Sequence, residues 1–277
     1  MTFLRRETQS PVLNNAEFSL PMLLEKIFME HGKDFRNYKR STIFRRLQKR
    51  LNALNVSTYG EYSSILEANP SEYQTLFSNL TVRVSEFFRE PPAFSFLENI
   101  LQESFSAEEP IKAWSCGCAN GEEAYSLAII LSNFLDAGAF MASKVFATDI
   151  DHGAVEQSRL AIYRDESLSN VEPHIKEMCF LRTHGQYKVK YNIRNIVKFG
   201  VLDIVTGSPI GRVQVLLCRN LFIYFNKGLQ DAVFAKLDYS LMPGGILLLG
   251  RAELIPQCFS SGYTLLNKPF NIYRKKG

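Results

Sequence analysis

The sequence predicts an α/β protein in which an open, mostly parallel sheet, covered by helices on both faces, follows an all-helical N-terminal domain. Three observations carry this. Residues 18 to about 85 show only helical periodicity. After Pro91-Pro92 short apolar runs alternate with helical stretches. The chain then finishes on two strand-like runs around Asn267-Lys268-Pro269. A period near 3.6 marks a helix with one buried stripe, and strand–helix alternation marks the crossover units of a parallel sheet.

In the helical part, Leu20, Leu23, Leu24, Ile27 and Phe28 form one apolar stripe. Ile43, Leu47, Leu51 and Leu54 form a second, with Arg45, Arg46 and Lys49 assigned to the opposite face. Ser57 is expected to cap a third helix that turns Tyr59, Tyr62, Ile65 and Leu66 inward and ends at Asn69-Pro70; Ser71 to Leu80 reads as a fourth. The expected organisation is an N-terminal extension over 1–17, a helical domain over 18–88 and a larger domain over 89–277. In the last, the runs IKAW, KVFATDI, IVKFGVLDI, VQVLLC and GGILLLG read as strands, and Glu122 to Leu135, Gly153 to Leu160 and Asn226 to Leu241 as helices. Residues 181–198 alternate with period two and predict a small β insertion. YTLLNKPFNIYRK predicts an antiparallel hairpin at one sheet edge.

Composition narrows the class. With 277 residues and 46% hydrophobic content, the chain can bury one substantial core and a smaller companion. No apolar run approaches the roughly 20 residues of a membrane-spanning helix, so no membrane insertion is expected. The arginines of MTFLRRETQS precede no apolar stretch, which argues against a secretory signal, and five cysteines then read as reduced thiols in a cytoplasmic protein. Net charge is +4, yet residues 33–54 hold eight Lys/Arg against the single acid Asp34. That concentration suggests a specific acidic partner. The basic helix Lys39-Leu54 has three readings: docking on an acidic protein helix, which is favoured, phosphate binding, or a solvated face. No nucleic acid is expected.

Candidate chemistry gathers at strand ends, where doubly wound sheets hold ligands. The first strand runs into Trp114-Ser115-Cys116-Gly117-Cys118-Ala119-Asn120-Gly121-Glu122-Glu123. Gly117 and Gly121 allow close backbone approach, but the loop is not GxGxxG and carries acids in place of cations. It therefore suits a ribose or a cationic amino-acid moiety better than a pyrophosphate. The second strand ends in Asp149-Ile150-Asp151, where Asp149 is the favoured ribose acceptor and either acid has a helix-capping alternative. The third offers Asp203-Ile204 for an adenine amino group and ring face, and the fourth Cys218-Arg219. Cys116 and Cys118 lack a second ligand pair, so no metal is expected.

The stretches VSEFFREPPAF, WSCGCANGEEAYSLAI, FATDID, LLCRNLFIYF and LMPGGILLLGRAE, with FRNYKRSTIFRRLQKRL ahead of them, resemble in order and spacing the CheR family of chemotaxis receptor methyltransferases. The resemblance implies a Rossmann-like S-adenosylmethionine methyltransferase sheet. It also implies transfer of the methyl to receptor glutamate carboxylates, with S-adenosylhomocysteine as product, and a chemoreceptor's cytoplasmic signalling domain as partner. Cofactor contacts are implied for Arg83, Ser85, Arg89, Glu123, Asp149, Asp203, Ile204, Cys218 and Arg219, and catalytic positions for Arg89 and Tyr224. The sequence departs from the family at Arg83, where asparagine is usual, at Arg251, where histidine is more frequent, and at Val213-Gln214. A non-catalytic cofactor-binding module, or a methyltransferase for another protein or nucleic acid, is the alternative.

An ionised glutamate needs no general base, so Arg89 is expected to hold the cofactor's carboxylate or, as favoured, to orient the substrate's through one oxygen. Tyr224 either donates its hydroxyl to that carboxylate, lines the methyl's path, or is structural. Phe87 and Phe88 either present a ring face to the sulfonium or pack in the core. The short Thr183-His184-Gly185 loop predicts action without a pentapeptide tether on the receptor.

Overall fold

The computed structural model describes residues 18–81 and 85–277. By its contacts the chain divides into two units. The first takes the residues up to Arg36 with Arg40–Leu80, the second Asn37–Lys39 with Thr81–Gly277.

The first unit consists of α1 (Leu20–His31), α2 (Arg40–Ala53), α3 (Tyr59–Ala68) and α4 (Ser71–Leu80). Leu23, Ile27, Ile43, Leu47, Leu51, Tyr62, Leu66 and Leu76 form its interior, as the periodicity predicts. Thr58, not Ser57, caps α3. Its hydroxyl accepts the Glu61 N–H, while the Glu61 carboxylate accepts from the N–H groups of both Thr58 and Ser57. The basic face of α2 is smaller than the pattern suggests. Arg50 pairs with the buried Glu72, which also accepts from the Tyr62 hydroxyl, and Arg46 donates to the Asn79 carbonyl at 2.9 Å. Arg40, Arg45 and Lys49 are exposed and make no ion pair with any described residue, and Phe44 stands among them, 51% exposed. Periodicity alone cannot separate an arginine that turns inward to meet a buried acid from one that stays in water.

The second unit runs α5 (Pro91–Ser104), β1 (Lys112–Cys116), α6 (Glu122–Phe134), α7 (Ala137–Ala142), β2 (Lys144–Asp149), α8 (His152–Leu160) and β3 (Ile162–Tyr163). It continues with α9 (Pro173–Cys179), β4 (Phe180–Thr183), β5 (Gln186–Val189), α10 (Tyr191–Ile196), β6 (Val197–Val201) and β7 (Val213–Cys218). α11 (Lys227–Ser240), β8 (Leu241–Leu249), β9 (Tyr263–Asn267) and β10 (Ile272–Lys275) close it. Seven strands form one sheet in the order β6-β2-β1-β7-β8-β10-β9, in which only β10 runs against its neighbours. Strand side chains alternate between faces. Ala113, Val215, Leu217, Ile246 and Leu248 enter one core with α5 and α6, while Trp114, Leu216, Leu247 and Leu249 enter the other with α11. Burial on both faces explains why these strands read as continuous apolar runs.

The chain leaves β1 toward β2 and β6 on one side and returns through β7 on the other, so the topological switch lies between β1 and β7. Their register, Ser115↔Leu217, sets Cys116 beside Cys218 at the carboxyl edge, with Thr148 across from Cys116 on β2.

A separate antiparallel sheet has the order β3-β5-β4. His184 and Gly185, at φ 47° and 76°, make the two-residue turn between β4 and β5. The period-two stretch from Leu181 continues into α10, where Ile193 and Ile196 are buried at helical spacing, and Val197 opens β6. Among the described residues, no helix is long and apolar enough to cross a membrane.

Candidate cofactor site at the carboxyl edge of the sheet

The turn after β1 is built by backbone conformation. Gly117, Ala119 and Gly121 all have positive φ, and a Cβ on Gly121 would lie 2.9 Å from the Ser158 side chain and 3.0 Å from the Phe199 ring. Both strain and space therefore demand glycine there. The N–H groups of Gly117 and Cys118 donate to the Thr148 carbonyl, and that of Ala119 donates to Asp149 at 2.9 Å. Asp149 also accepts from the Asp151 N–H. Asp151 itself caps α8, accepting from Gly153 and Ala154, and takes the Thr81 hydroxyl. The two acids of the β2 tip thus divide their tasks: Asp151 serves the helix, and Asp149 stands at the loop.

The segment from Ser85 to Glu90 carries Arg89 between two left-handed residues, Phe88 (φ 49°) and Glu90 (φ 64°). Non-glycine residues persist in that region only when surrounding contacts over-determine them. Here the Phe87 ring is fully buried edge-on against Tyr163 and Phe180, and its N–H donates to the Ser167 carbonyl. The Phe88 N–H donates to the Ser126 hydroxyl, which donates to the Glu122 carbonyl. Phe87 is therefore a core residue with no ring face to offer a ligand, while Phe88 is half-buried on Phe94. Arg83 lies outside the described residues.

Four charged groups link the loops of this edge. Glu123 accepts from the Ser115 hydroxyl at 2.7 Å and lies 3.6 Å from Arg219. Arg219, its side chain only 2% exposed, donates to Glu90 at 2.6 Å, and Glu90 meets the Nε of Arg251 at 3.4 Å. Burial pushes the Glu123 carboxyl up, against the lowering effect of Arg219 and Ser115. Glu122, packed at the start of α6, is pushed up to about 7, chiefly by burial, although the Ser85 hydroxyl donates to it. Cys218 is fully buried with its thiol on Cys116, and that hydrogen bond, then burial, push it well up.

Sequence reasoning missed a second layer. The buried Glu253 carboxylate accepts from the N–H groups of Asn220, Ile223 and Gly250, so it pins the loop that leads from Arg219 to Tyr224. The Asn271 amide donates to the carbonyls of Gly250, Arg251 and Glu253 and holds the loop after β8. Gly250 has no room for a side chain, since a Cβ would sit 2.6 Å from Glu253 Oε2 and 2.8 Å from the Asn220 nitrogen. Tyr224 is half-buried in a short 3-10 turn, and its carbonyl accepts the Lys39 N–H at 2.7 Å.

Asp203 tests what this edge fits. One of its oxygens accepts the Val205 N–H at 2.8 Å, while Oδ2 is buried with no hydrogen-bond partner, next to the buried Ile204. A buried acceptor left unmade costs about 1–3 kcal/mol, and a ligand donor such as an aromatic amine would satisfy it. Acceptors at three strand ends, with no cation on the β1 loop, suit adenosine with a cationic tail.

The sheet order and the acceptors at its carboxyl edge define the class, an S-adenosylmethionine-dependent methyltransferase of Rossmann-like plan. The model of the CheR methyltransferase SAM binding domain matches residues 83–265, and that of the CheR methyltransferase all-alpha domain matches residues 20–81. The chain is 30% identical to the Putative methyltransferase Cher3 of Pseudomonas putida over 94% of its own length and 98% of that protein. It is 30% identical to Chemotaxis protein methyltransferase 2 of Pseudomonas aeruginosa, covering 89% of this chain and 91% of that one. With the Chemotaxis protein methyltransferase of Escherichia coli identity is 31%, over 91% of this chain and 89% of the other. The chain belongs to the CheR methyltransferase family.

Proposed function

We propose that this chain transfers a methyl group from S-adenosylmethionine to glutamate carboxylates on the cytoplasmic signalling domain of a chemoreceptor, forming methyl esters in the cytoplasm. The observation that carries the substrate is the exposed pair Arg45 and Lys49 one turn apart on α2, with Arg40 and Phe44 exposed nearer its start. An exposed cationic helix face complements a helix rich in glutamate, and such rim charges chiefly raise encounter rate and fix register.

S-adenosylmethionine, when bound, supplies an electrophilic sulfonium methyl. Asp149, Glu123 and Asp203 are the acceptors for its hydroxyl, ammonium and amine donors, with Ser85, Ile204, Cys218 and Arg219 completing the surround. The nucleophile is a carboxylate ionised at neutral pH, with a reference pKa near ~4.3, so no residue has to remove a proton. The protein's task is to bind, orient and exclude water, and positioning of this kind is worth ~7–11 kcal/mol in favourable cases. Arg89 is held in place by the strained segment around it and orients the carboxylate through one oxygen, leaving the other to attack. Tyr224 lines the path of the methyl. The two-residue His184-Gly185 turn supports action without a receptor tether.

The test is transfer of tritiated methyl to a chemoreceptor cytoplasmic fragment. Label released by mild base, and lost in Arg89→Ala, is expected. Label stable to alkali, or full transfer by Arg89→Ala, would sink the reading or its mechanism respectively.

A further inference from the structure

The charged chain Glu123–Arg219–Glu90–Arg251 passes from the interior to the surface, and Arg251 is its solvent end. Glu90 has one negative charge to share between two guanidinium groups. Arg219 is buried and takes Glu90 Oε2 at 2.6 Å; Arg251 reaches Oε1 only through its Nε, at 3.4 Å. The outer guanidinium is therefore the more loosely held of the two, where the chain meets solvent. The Arg251 side chain is 63% exposed, and its two terminal nitrogens make no hydrogen bond with any described residue. Those two nitrogens are the edge of a guanidinium that grips a carboxylate with parallel bonds.

The backbone beneath Arg251 is fixed. Its carbonyl accepts from the Asn271 amide at 3.1 Å, the preceding Gly250 is boxed in by Glu253 and Asn220, and the Glu253 N–H donates to the Gly250 carbonyl. A long side chain on a fixed backbone, tethered at Nε, loses less conformational freedom on binding than a loose surface arginine. Leu254, 70% exposed three residues on, adds an apolar contact beside it. β8 neighbours β7, so this loop stands at the same carboxyl edge as Arg219 and Tyr224.

We propose that Arg251 is a specificity-determining residue that binds an acidic side chain of the protein substrate other than the glutamate being methylated. This inference rests on the reading that the substrate is a glutamate-bearing protein. It adds that Arg251 pairs with that second acid while Glu90 stays with Arg219. Arg251 is not assigned to cofactor binding.

The experiment is steady-state methyl transfer to a chemoreceptor cytoplasmic fragment by the full chain and by Arg251→Ala, Arg251→Lys and Arg251→Glu. S-adenosylhomocysteine affinity and melting temperature are measured in parallel. A lost charged hydrogen bond predicts that Arg251→Ala raises KM for the fragment roughly tenfold or more. Arg251→Glu should raise it further and Arg251→Lys much less, with kcat and S-adenosylhomocysteine affinity unchanged within twofold. Unchanged KM in Arg251→Ala overturns the proposal. A parallel loss of S-adenosylhomocysteine affinity also overturns it, by showing that the residue serves the cofactor or the fold. Absence of base-labile transfer by the unaltered chain removes the substrate reading and this inference together, an outcome distinct from transfer by the unaltered chain with no difference in the variants.

Discussion

At the scale of single residues, this protein keeps several acids out of water, and each is there for a different reason. Glu122 shows the cost most directly. Its carboxyl sits at the first turn of α6, where the helix end favours a negative charge, yet burial outweighs that and raises it to about 7, with one oxygen left unpartnered. Because the folded-state value lies above the ordinary 4.5, the folded protein holds this proton more tightly than the unfolded chain does. The stabilisation is complete below about pH 4.5 and is lost as pH rises through about 7. Glu122→Gln removes the buried charge and keeps an acceptor for the Ser85 hydroxyl. Thermal unfolding should show the variant more stable than the parent at pH 8, by up to ~3 kcal/mol, and no gain at pH 5. Equal shifts at both values would mean that the effect is packing and not ionisation.

Single elements make the contrast between buried and exposed charge explicit. α2 carries Arg46 and Arg50 toward the Asn79 carbonyl and Glu72, and leaves Arg40, Arg45 and Lys49 to solvent. Exposed charges contribute to association through a screened field, whereas the Arg50–Glu72 pair contributes to the fold. Arg45→Glu combined with Lys49→Glu should therefore raise KM for a chemoreceptor fragment about tenfold at low salt, with the difference shrinking as ionic strength rises. Melting temperature should stay the same. Arg50→Ala should do the reverse, lowering stability by ~3–5 kcal/mol because Glu72 would keep a buried charge with only Tyr62 to satisfy it. Urea unfolding of the two variants separates these effects.

At the scale of the whole molecule, the acceptors of three strand ends become one site only through the order β6-β2-β1-β7. The turn after β1, the β2 tip and the stretch after β6 carry acids far apart in sequence, and the parallel register brings their carboxyl ends to one edge. Saturation with S-adenosylhomocysteine at 100 times its Kd should stabilise the chain by ~2.7 kcal/mol, read as a rise in melting temperature. Asp203→Asn turns a donor toward the position its unpartnered oxygen now holds. It should weaken S-adenosylhomocysteine binding by about tenfold, the worth of one charged hydrogen bond. An undiminished thermal shift in that variant would place the amine elsewhere.

The sequence by itself determined the strand–helix alternation, the helical first unit, the closing hairpin and the acids at the strand tips. Each is written locally, as a spacing of apolar residues or as a residue type at the end of an apolar run. Tertiary structure alone decided which charges go inside. Glu253 and Asn271 look like ordinary loop residues, and only the approach of the β7, β8 and β10 ends turns them into a buried clamp on the loop carrying Arg219. Phe87, level with Phe88 in the sequence, becomes core because Tyr163 and Phe180 arrive from the small sheet. Ile193 and Ile196 continue a period-two stretch on paper but pack as one face of a helix. The physical reason is common to all of these: a side chain's type and spacing are local, whereas its solvation is set by partners tens of residues away.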